Sequence, residues 1–528
     1  MDTKALRQKV LDLAIRGKLV PQDPNDEPAS VLLERIRQQK QQMVKEGKLK
    51  AKDIKNDSII FVGEDNLHYE KFADGSVKCI EDEIPFDLPE GWAWSRLGTV
   101  AEAIGDGDHQ PPPQTSNGVP FLVISNVSGG RLSFEKTRFV SEEYFSQLPE
   151  TRKPRKGDLL FTVTGSYGIP VLVDTDDKFC FQRHIAIIRP CIISNHYLYV
   201  ILGSSYVKSI CDDKATGTAQ KTVGLATLRE LLIPVAPNKE QMRVYVQTQD
   251  ALNIVDRISL DKEDLLNIIE NTKSKILDLA IRGQLVPQDP TDEPASVLLE
   301  RIREEKEDLI RQGKIKRNKK ESIIFRGEDN SYYLNDGVST NDISEDLPFD
   351  IPDSWSWGKL KDIVMINPRN KLDDDTDVAF IPMPLIEDGF SGHHASEVRK
   401  WKDIKAGFTH FKEGDVGVAK ITPCFENRKS VIFENLINGY GAGTTELYIF
   451  RPYNRTILSR YLLAYMKSAQ FIENGKQTFS GAVGQQRISK EYVENAYFPI
   501  PPLAEQERIV HQLAVVFNYL NIISEALS

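Results

Sequence analysis

Apolar residues step by four and three along the end of the chain, at Ile509, Leu513, Val516, Leu520, Ile523 and Leu527. The same rhythm links Ala251, Val255, Ile258, Leu265, Ile269, Ile276 and Leu279, with Lys262 and Thr272 as polar interruptions. This spacing predicts long helices whose apolar stripe buries against a partner helix. A central helix over 240–282 would span roughly 64 Å. Elsewhere the pattern changes to short runs rich in Val, Ile and Phe, such as PFLVISNV, DLLFTVTG, IPVLVD and HIAIIRP, bounded by Gly, Pro, Asn or Asp. These predict strands. A helical stretch follows in each half, NHYLYVILGSSYVKSI and SRYLLAYMKSAQFI. Pro237 and Pro502 close the two mixed α/β segments.

The chain is a duplication. LDLAIRGKLVPQDP from Leu11 returns as LDLAIRGQLVPQDP from Leu277, SIIFVGEDN returns as SIIFRGEDN, and PFDLPEGWAWSRLG returns as PFDIPDSWSWGKLK with both tryptophans kept. Between these connectors the two cores diverge, although KGDLLFTVTG parallels EGDVGVAKIT and HIAIIRP parallels ELYIFRP. The C-terminal helix aligns with the first half of the central helix, and the N-terminal helix with its second half. The expected arrangement is therefore a central helix antiparallel to the combined terminal helices, closing the chain pseudo-twofold. Near-identical connectors around unlike cores imply one job done twice and two jobs done once each.

Length admits three or four domain-sized units. Five cysteines without regular spacing suggest neither disulfides nor a zinc site, and the N-terminus lacks a signal-like apolar segment. No apolar run is long enough to cross a bilayer, so a cytoplasmic protein without membrane partners is expected. The net charge of −10 argues at first against a nucleic-acid partner. Its distribution changes that picture. Lys+Arg against Asp+Glu is 15 to 16 over 84–237 and 19 to 19 over 347–502, so both cores are nearly neutral.

Catalytic signatures are missing: the sequence has no GxxxxGK[ST], HExxH or GxSxG. Neither GDGDH (105–109) nor the Gly-rich GYGAGT (439–444) makes a convincing metal or phosphate loop. Two unlike readers held apart point to duplex DNA, whose major-groove face recurs about every 34 Å. Base edges are read by Arg, Lys, Asn, Gln, Ser and Thr, and both cores carry these on loops. In the first, the candidates are Thr164, Ser166, Arg183, His184, Gln220 and Lys221. In the second, they are Thr422, Asn427, Arg428, Lys429, Thr444, Thr445, Gln485, Gln486 and Arg487.

The whole pattern resembles the specificity subunit of type I restriction–modification systems. The most specific matches are GQQRISKEYVENAYFPIPPLAEQERIV (484–510), the two tryptophan-bearing stretches, and DGDHQPPPQTSNGVPFL (106–122). That last stretch adds His109 and Gln110 as candidate DNA contacts. The second core reads MINPRNKLDDDTDVAFIPM there, so no histidine role is carried across. The first core departs at TGTAQKTVGLATLRELLIPVAP, which makes Gln220 and Lys221 weaker matches than Gln485, Gln486 and Arg487.

The resemblance implies an α+β fold with two mixed α/β target-recognition domains held apart by an antiparallel coiled coil. The expected divisions are 1–83, a helical conserved region; 84–237, the first recognition domain; 238–346, the central conserved region; 347–502, the second recognition domain; and 503–528, the C-terminal helix. It further implies a non-catalytic subunit in which each domain reads half of an asymmetric bipartite DNA site. Two modification subunits would carry S-adenosylmethionine, and two restriction subunits would use ATP and Mg, with no cofactor or metal on this chain. The alternatives are a specificity subunit of another modification–restriction arrangement, or a metal-dependent nuclease built on Asp174, Asp176 and Lys178.

Overall fold

A computed structural model describes the chain except residues 1, 110–111, 218–219, 316, 318–320, 454–455, 483 and 528. Its two halves, 1–261 and 262–528, form separate compact units. The boundary falls inside one unbroken helix, Asn238–Ile281, close to the span that the heptad rhythm predicts.

Each unit is built from the same parts in the same order. In the first, Thr3–Ile15 and Ala29–Lys45 are helices, and Ser58–Val62, His68–Phe72 and Val77–Cys79 form a three-stranded sheet. In the second, the end of the central helix, Ala295–Arg311 and the strands Ile323–Arg326, Tyr332–Asn335 and Thr340–Asp342 repeat this plan. The beginning and end of each core are then stitched together. Ala93–Arg96 pairs antiparallel with Leu232–Val235, and Ser356–Lys359 with Tyr497–Ile500.

Inside the first core, an antiparallel sheet has the order Ala101–Asp106, Ile185–Pro190, Leu159–Thr162, Pro170–Leu172. The second core repeats that order with Val364–Ile366, Leu447–Pro452, Val416–Ala419 and Ser430–Ile432. Divergent sequences thus make the same sheet because the alternation of apolar runs and turns survives. A further sheet differs: three strands in the first unit (Cys180–Phe181, Val119–Leu122, Arg138–Val140), four in the second (Glu397–Lys400, Asp377–Ile381, Tyr440–Gly443, Thr409–Lys412). The stretch GYGAGT supplies one of those four. A Cβ at Gly441 would lie 2.6 Å from the Ala379 carbonyl oxygen, so glycine there permits close strand pairing.

The repeated connector has an intramolecular reason to be identical. Gly17 and Gly283 take φ of +63° and +67° just past the helices that end at Ile15 and Ile281. A left-handed residue there closes the helix C-terminus. A Cβ would also meet the ring of Pro89 at 2.4 Å, or of Pro352 at 2.5 Å. Further along each connector, a glutamine and an aspartate grip the helix that follows the core. Gln22 donates to Glu240 at 3.2 Å and Gln288 to Glu505 at 2.6 Å. Asp26 pairs with Arg243, and Asp292 with Arg508.

In the first unit the N-terminal helix runs antiparallel to the start of the central helix. Arg7 pairs with Asp256, and Thr3 donates to Ser259, while Val10, Leu11, Ala14 and Ile15 share a core with Val244 and Leu252. In the second unit Ile509 and Leu513 share a core with Leu277, Ala280 and Ile281. The predicted stripe needs correction at its ends and at Leu265, which is exposed. Leu279 is 40% exposed whereas Leu277 is 2% exposed, and Ile523 is exposed. A helix seated on a globular core buries a broader face than a two-helix seam does. The single helical stretch expected in each core is also two helices. Asn195–Leu202 and Ser459–Lys467 end before Ser204 and Ser468, whose hydroxyls cap the helices that follow.

Candidate nucleic-acid interface

Three segments meet beyond the end of the strand Leu159–Thr162 in the first unit. Val163 N–H donates to the His184 carbonyl at 2.9 Å, Val223 N–H to the Val163 carbonyl at 2.9 Å, and Gly165 N–H to the Lys221 carbonyl at 3.1 Å. Thr216 and Thr222 exchange both backbone hydrogen bonds, at 3.0 and 2.8 Å. Backbone pairing therefore gathers Thr164, Ser166, His184, Gln220 and Lys221. Thr164 is buried and its hydroxyl meets that of Thr222 at 3.1 Å. Ser166, Gln220 and Lys221 are exposed.

Arg183 and His109 join the same end of the core. Asp108 N–H donates to the Phe181 carbonyl and Arg183 N–H to the Asp108 carbonyl, each at 3.1 Å. Gly107 is required for that approach, since a Cβ would sit 1.9 Å from the Phe181 oxygen. His109 is exposed and its Nε2 lies 2.8 Å from Asp106, while Arg152 pairs with Asp108 at 3.1 Å. Burial and the neighbouring Arg183 hold the His184 imidazole below its usual range, so it is neutral near pH 7 and offers one donor and one acceptor. Gln110 lies outside the described residues.

The second unit repeats the bonding with other side chains. Lys420 N–H donates to the Glu446 carbonyl at 2.9 Å, Ile488 N–H to the Lys420 carbonyl at 3.0 Å, and Thr422 N–H to the Gln486 carbonyl at 2.9 Å. Ser480 and Arg487 exchange backbone bonds at 3.1 and 2.9 Å. Thr422, Thr444, Thr445, Gln485, Gln486 and Arg487 thus collect around one bridge. The Thr422 hydroxyl accepts from Gln486 N–H at 3.1 Å, and the Thr444 hydroxyl accepts from Glu446 N–H at 3.1 Å. Thr445 and Gln485 are exposed. Arg487 forks onto Glu446 at 2.9 and 2.8 Å, and that pairing keeps the Glu446 carboxyl below its ordinary range.

Asn427, Arg428 and Lys429 form a second group, turned toward the 386–390 segment. The Lys429 ammonium donates to the Ile386 carbonyl at 2.8 Å. Arg428 donates to the Lys467 carbonyl at 3.0 Å and its guanidinium sits 4.9 Å from the Phe390 ring centre. Asn427 is exposed, and its carbonyl accepts from Gly389 N–H. Two residues escaped sequence reasoning: Thr222 and Glu446. The offset of 265 that aligns the helices also brings Thr222 onto Arg487, which is the signal that could have found the first.

Among the described residues, no group of three or more His, Cys, Asp or Glu could hold a metal ion, and no helix is long and apolar enough to cross a membrane. In the VDTDDK stretch, Asp176 pairs with Lys156 at 3.7 Å and Lys178 with Glu142 at 3.4 Å.

The family model described as "Type I restriction modification DNA specificity domain" matches residues 89–271 and 352–528, one segment for each core and the helix that follows it. The chain belongs to this family. It is similar to the type I restriction enzyme EcoAI specificity subunit of Escherichia coli, 44% identical over 272 residues, which cover 51% of this chain and 43% of that one. The EcoEI specificity subunit of Escherichia coli is likewise 44% identical over 273 residues, with the same coverage. The alignments thus reach less than half the length of either relative. A crystal structure of the HsdS subunit from Thermoanaerobacter tengcongensis aligns with a TM-score of 0.47 and 17% identity, covering 84% of this chain and 93% of that chain.

Proposed function

We propose that the chain is the non-catalytic sequence-specificity subunit of a type I restriction–modification complex, with 84–237 and 347–502 as recognition domains reading unlike halves of one bipartite duplex site. The observation that carries this reading is the repeated bridge. One backbone scaffold recurs in both family-matched segments, and the side chains it presents differ: His184, Thr222 and Lys221 in one, Glu446, Arg487 and Gln486 in the other. A common frame with exchanged polar side chains suits two readers of the same kind of ligand with different base preferences.

The regions 1–83, 238–346 and 503–528 are the connectors in this reading. They fix the gap between half-sites and dock two modification subunits, which supply S-adenosylmethionine. Two restriction subunits supply ATP- and Mg-dependent translocation and cleavage, and the complex works in the cytoplasm. The exposed arginines Arg35 and Arg37 return as Arg301 and Arg303, with the Arg35–Glu27 ion pair returning as Arg301–Glu293. Surface residues kept alike in both copies support docking of two identical partners.

The test is selection from a randomised duplex library by the full chain with its modification subunits. The expected result is one asymmetric motif in two parts with a fixed gap. Enrichment of a single continuous motif, or of none, would refute the reading.

A further inference from the structure

The two bridges align residue by residue through their hydrogen bonds. His184 and Glu446 each accept from the strand at the same step, and Thr222 and Arg487 each exchange both backbone bonds with the hairpin partner. We infer that 184/222 and 446/487 are one equivalent pair of specificity positions, and that Glu446 is the positioning residue for Arg487. This rests on the proposed function and names the residues that would distinguish the half-sites.

The geometry around Arg487 is that of an aimed guanidinium. Its Nε and Nη2 fork onto the Glu446 carboxylate, and Nη1 donates to the Gln485 carbonyl at 2.9 Å. An arginine has five N–H donors, so two remain among the contacts of the described residues. Two N–H groups held in a plane match the O6 and N7 acceptors of guanine in the major groove. A free arginine at this half-exposed position would sample many rotamers. The carboxylate fork removes that freedom before DNA arrives, as preorganised binding groups require.

At the equivalent positions, 184 and 222, the first unit has no such fork. Thr222 faces the Thr164 hydroxyl, and neutral His184 replaces the carboxylate. The equivalent pair there offers a hydroxyl and an imidazole, so the braced guanidinium is a device of the second unit, and the two half-sites should differ at this step.

The duplex-library selection tests this with Glu446→Gln, Glu446→Asp and Arg487→Lys in the full chain with its modification subunits. Wild type is expected to prefer guanine at one position of the half-site read by 347–502. Glu446→Gln keeps the shape but loses a charge-assisted acceptor, and Arg487→Lys loses the fork. Each should relax that preference by roughly tenfold or more and leave the other half-site unchanged, while Glu446→Asp retains the wild-type base. A pair that merely braces the fold would lower thermal stability without moving any base preference. Unchanged base preferences, or equal loss at both half-sites, would overturn the inference. A wild-type chain that selects no bipartite duplex would sink the proposed function itself.

Discussion

The indole N–H of Trp92 donates to Oε2 of Glu240 at 3.1 Å, and Trp355 donates to Oε2 of Glu505 at 2.9 Å. The other oxygen of each carboxylate accepts from Gln22 or Gln288. One buried glutamate thus ties the LVPQDP connector, the tryptophan just before the stitching strand and the helix start together, once per unit. Removing it leaves a buried indole N–H without its acceptor, while the glutamine amide keeps the carbonyl of Gly17 or Gly283. Glu505→Ala is therefore expected to destabilise the second unit by about 1–3 kcal/mol, and Glu240→Ala the first. Hydrogen exchange should report faster opening in the altered unit only; unaltered exchange there would mean that the carboxylate adds nothing.

Lys467 is 3% exposed and donates to the carbonyls of Gly389 and Arg428 at 2.6 and 2.9 Å. Burial, reinforced by Arg428, pushes its ammonium from the usual 10.5 down to about 7. A neutral amine still has two N–H groups for both carbonyls. Between about 7 and 10.5 the unfolded chain binds this proton and the folded chain does not, so stability from this residue rises with pH and is lost as pH falls through about 7. Lys467→Met should flatten that rise. Urea denaturation of both proteins across the same range checks it, and parallel curves would contradict it.

Exchanging 84–237 for another recognition domain should change one half-site and preserve both the other half and the gap. Mapping the modified sequence of the chimera reads this directly. Altered bases in both halves would deny that the cores read independently.

Deleting four residues from the exposed middle of the helix Asn238–Ile281 shortens it by about 6 Å, the rise of roughly two base pairs. The gap in the selected site should shrink or binding should disappear. An unchanged gap with full affinity would remove the helix from the role of spacer. Specific binding should also weaken steeply as salt rises, because phosphate contacts release counterions.

The duplication was legible in the sequence because connectors that make the same internal contacts must keep the same residues. Gly17, Gln22, Asp26 and Trp92 each have a counterpart with the same partner. The central helix was legible from its periodicity. Its buried face was less so, since the four-three rhythm selects Leu279 where packing on the core selects Leu277, Ala280 and Ile281. In the candidate interface, loop composition pointed to Arg487 and Gln486 but gave no indication that Arg428 and Lys429 would turn to backbone carbonyls. Glu446 stayed hidden because its partner Arg487 lies 41 positions away, a pairing that only the folded sheet creates.

Genome-wide mapping of methylated adenines, in cells that make the modification subunit with and without this chain, tests the central claim most directly. Two unlike readers on one scaffold predict a single asymmetric motif, split by a constant gap, that appears only when the chain is present. A palindromic or uninterrupted motif, or methylation indifferent to the chain, would contradict it.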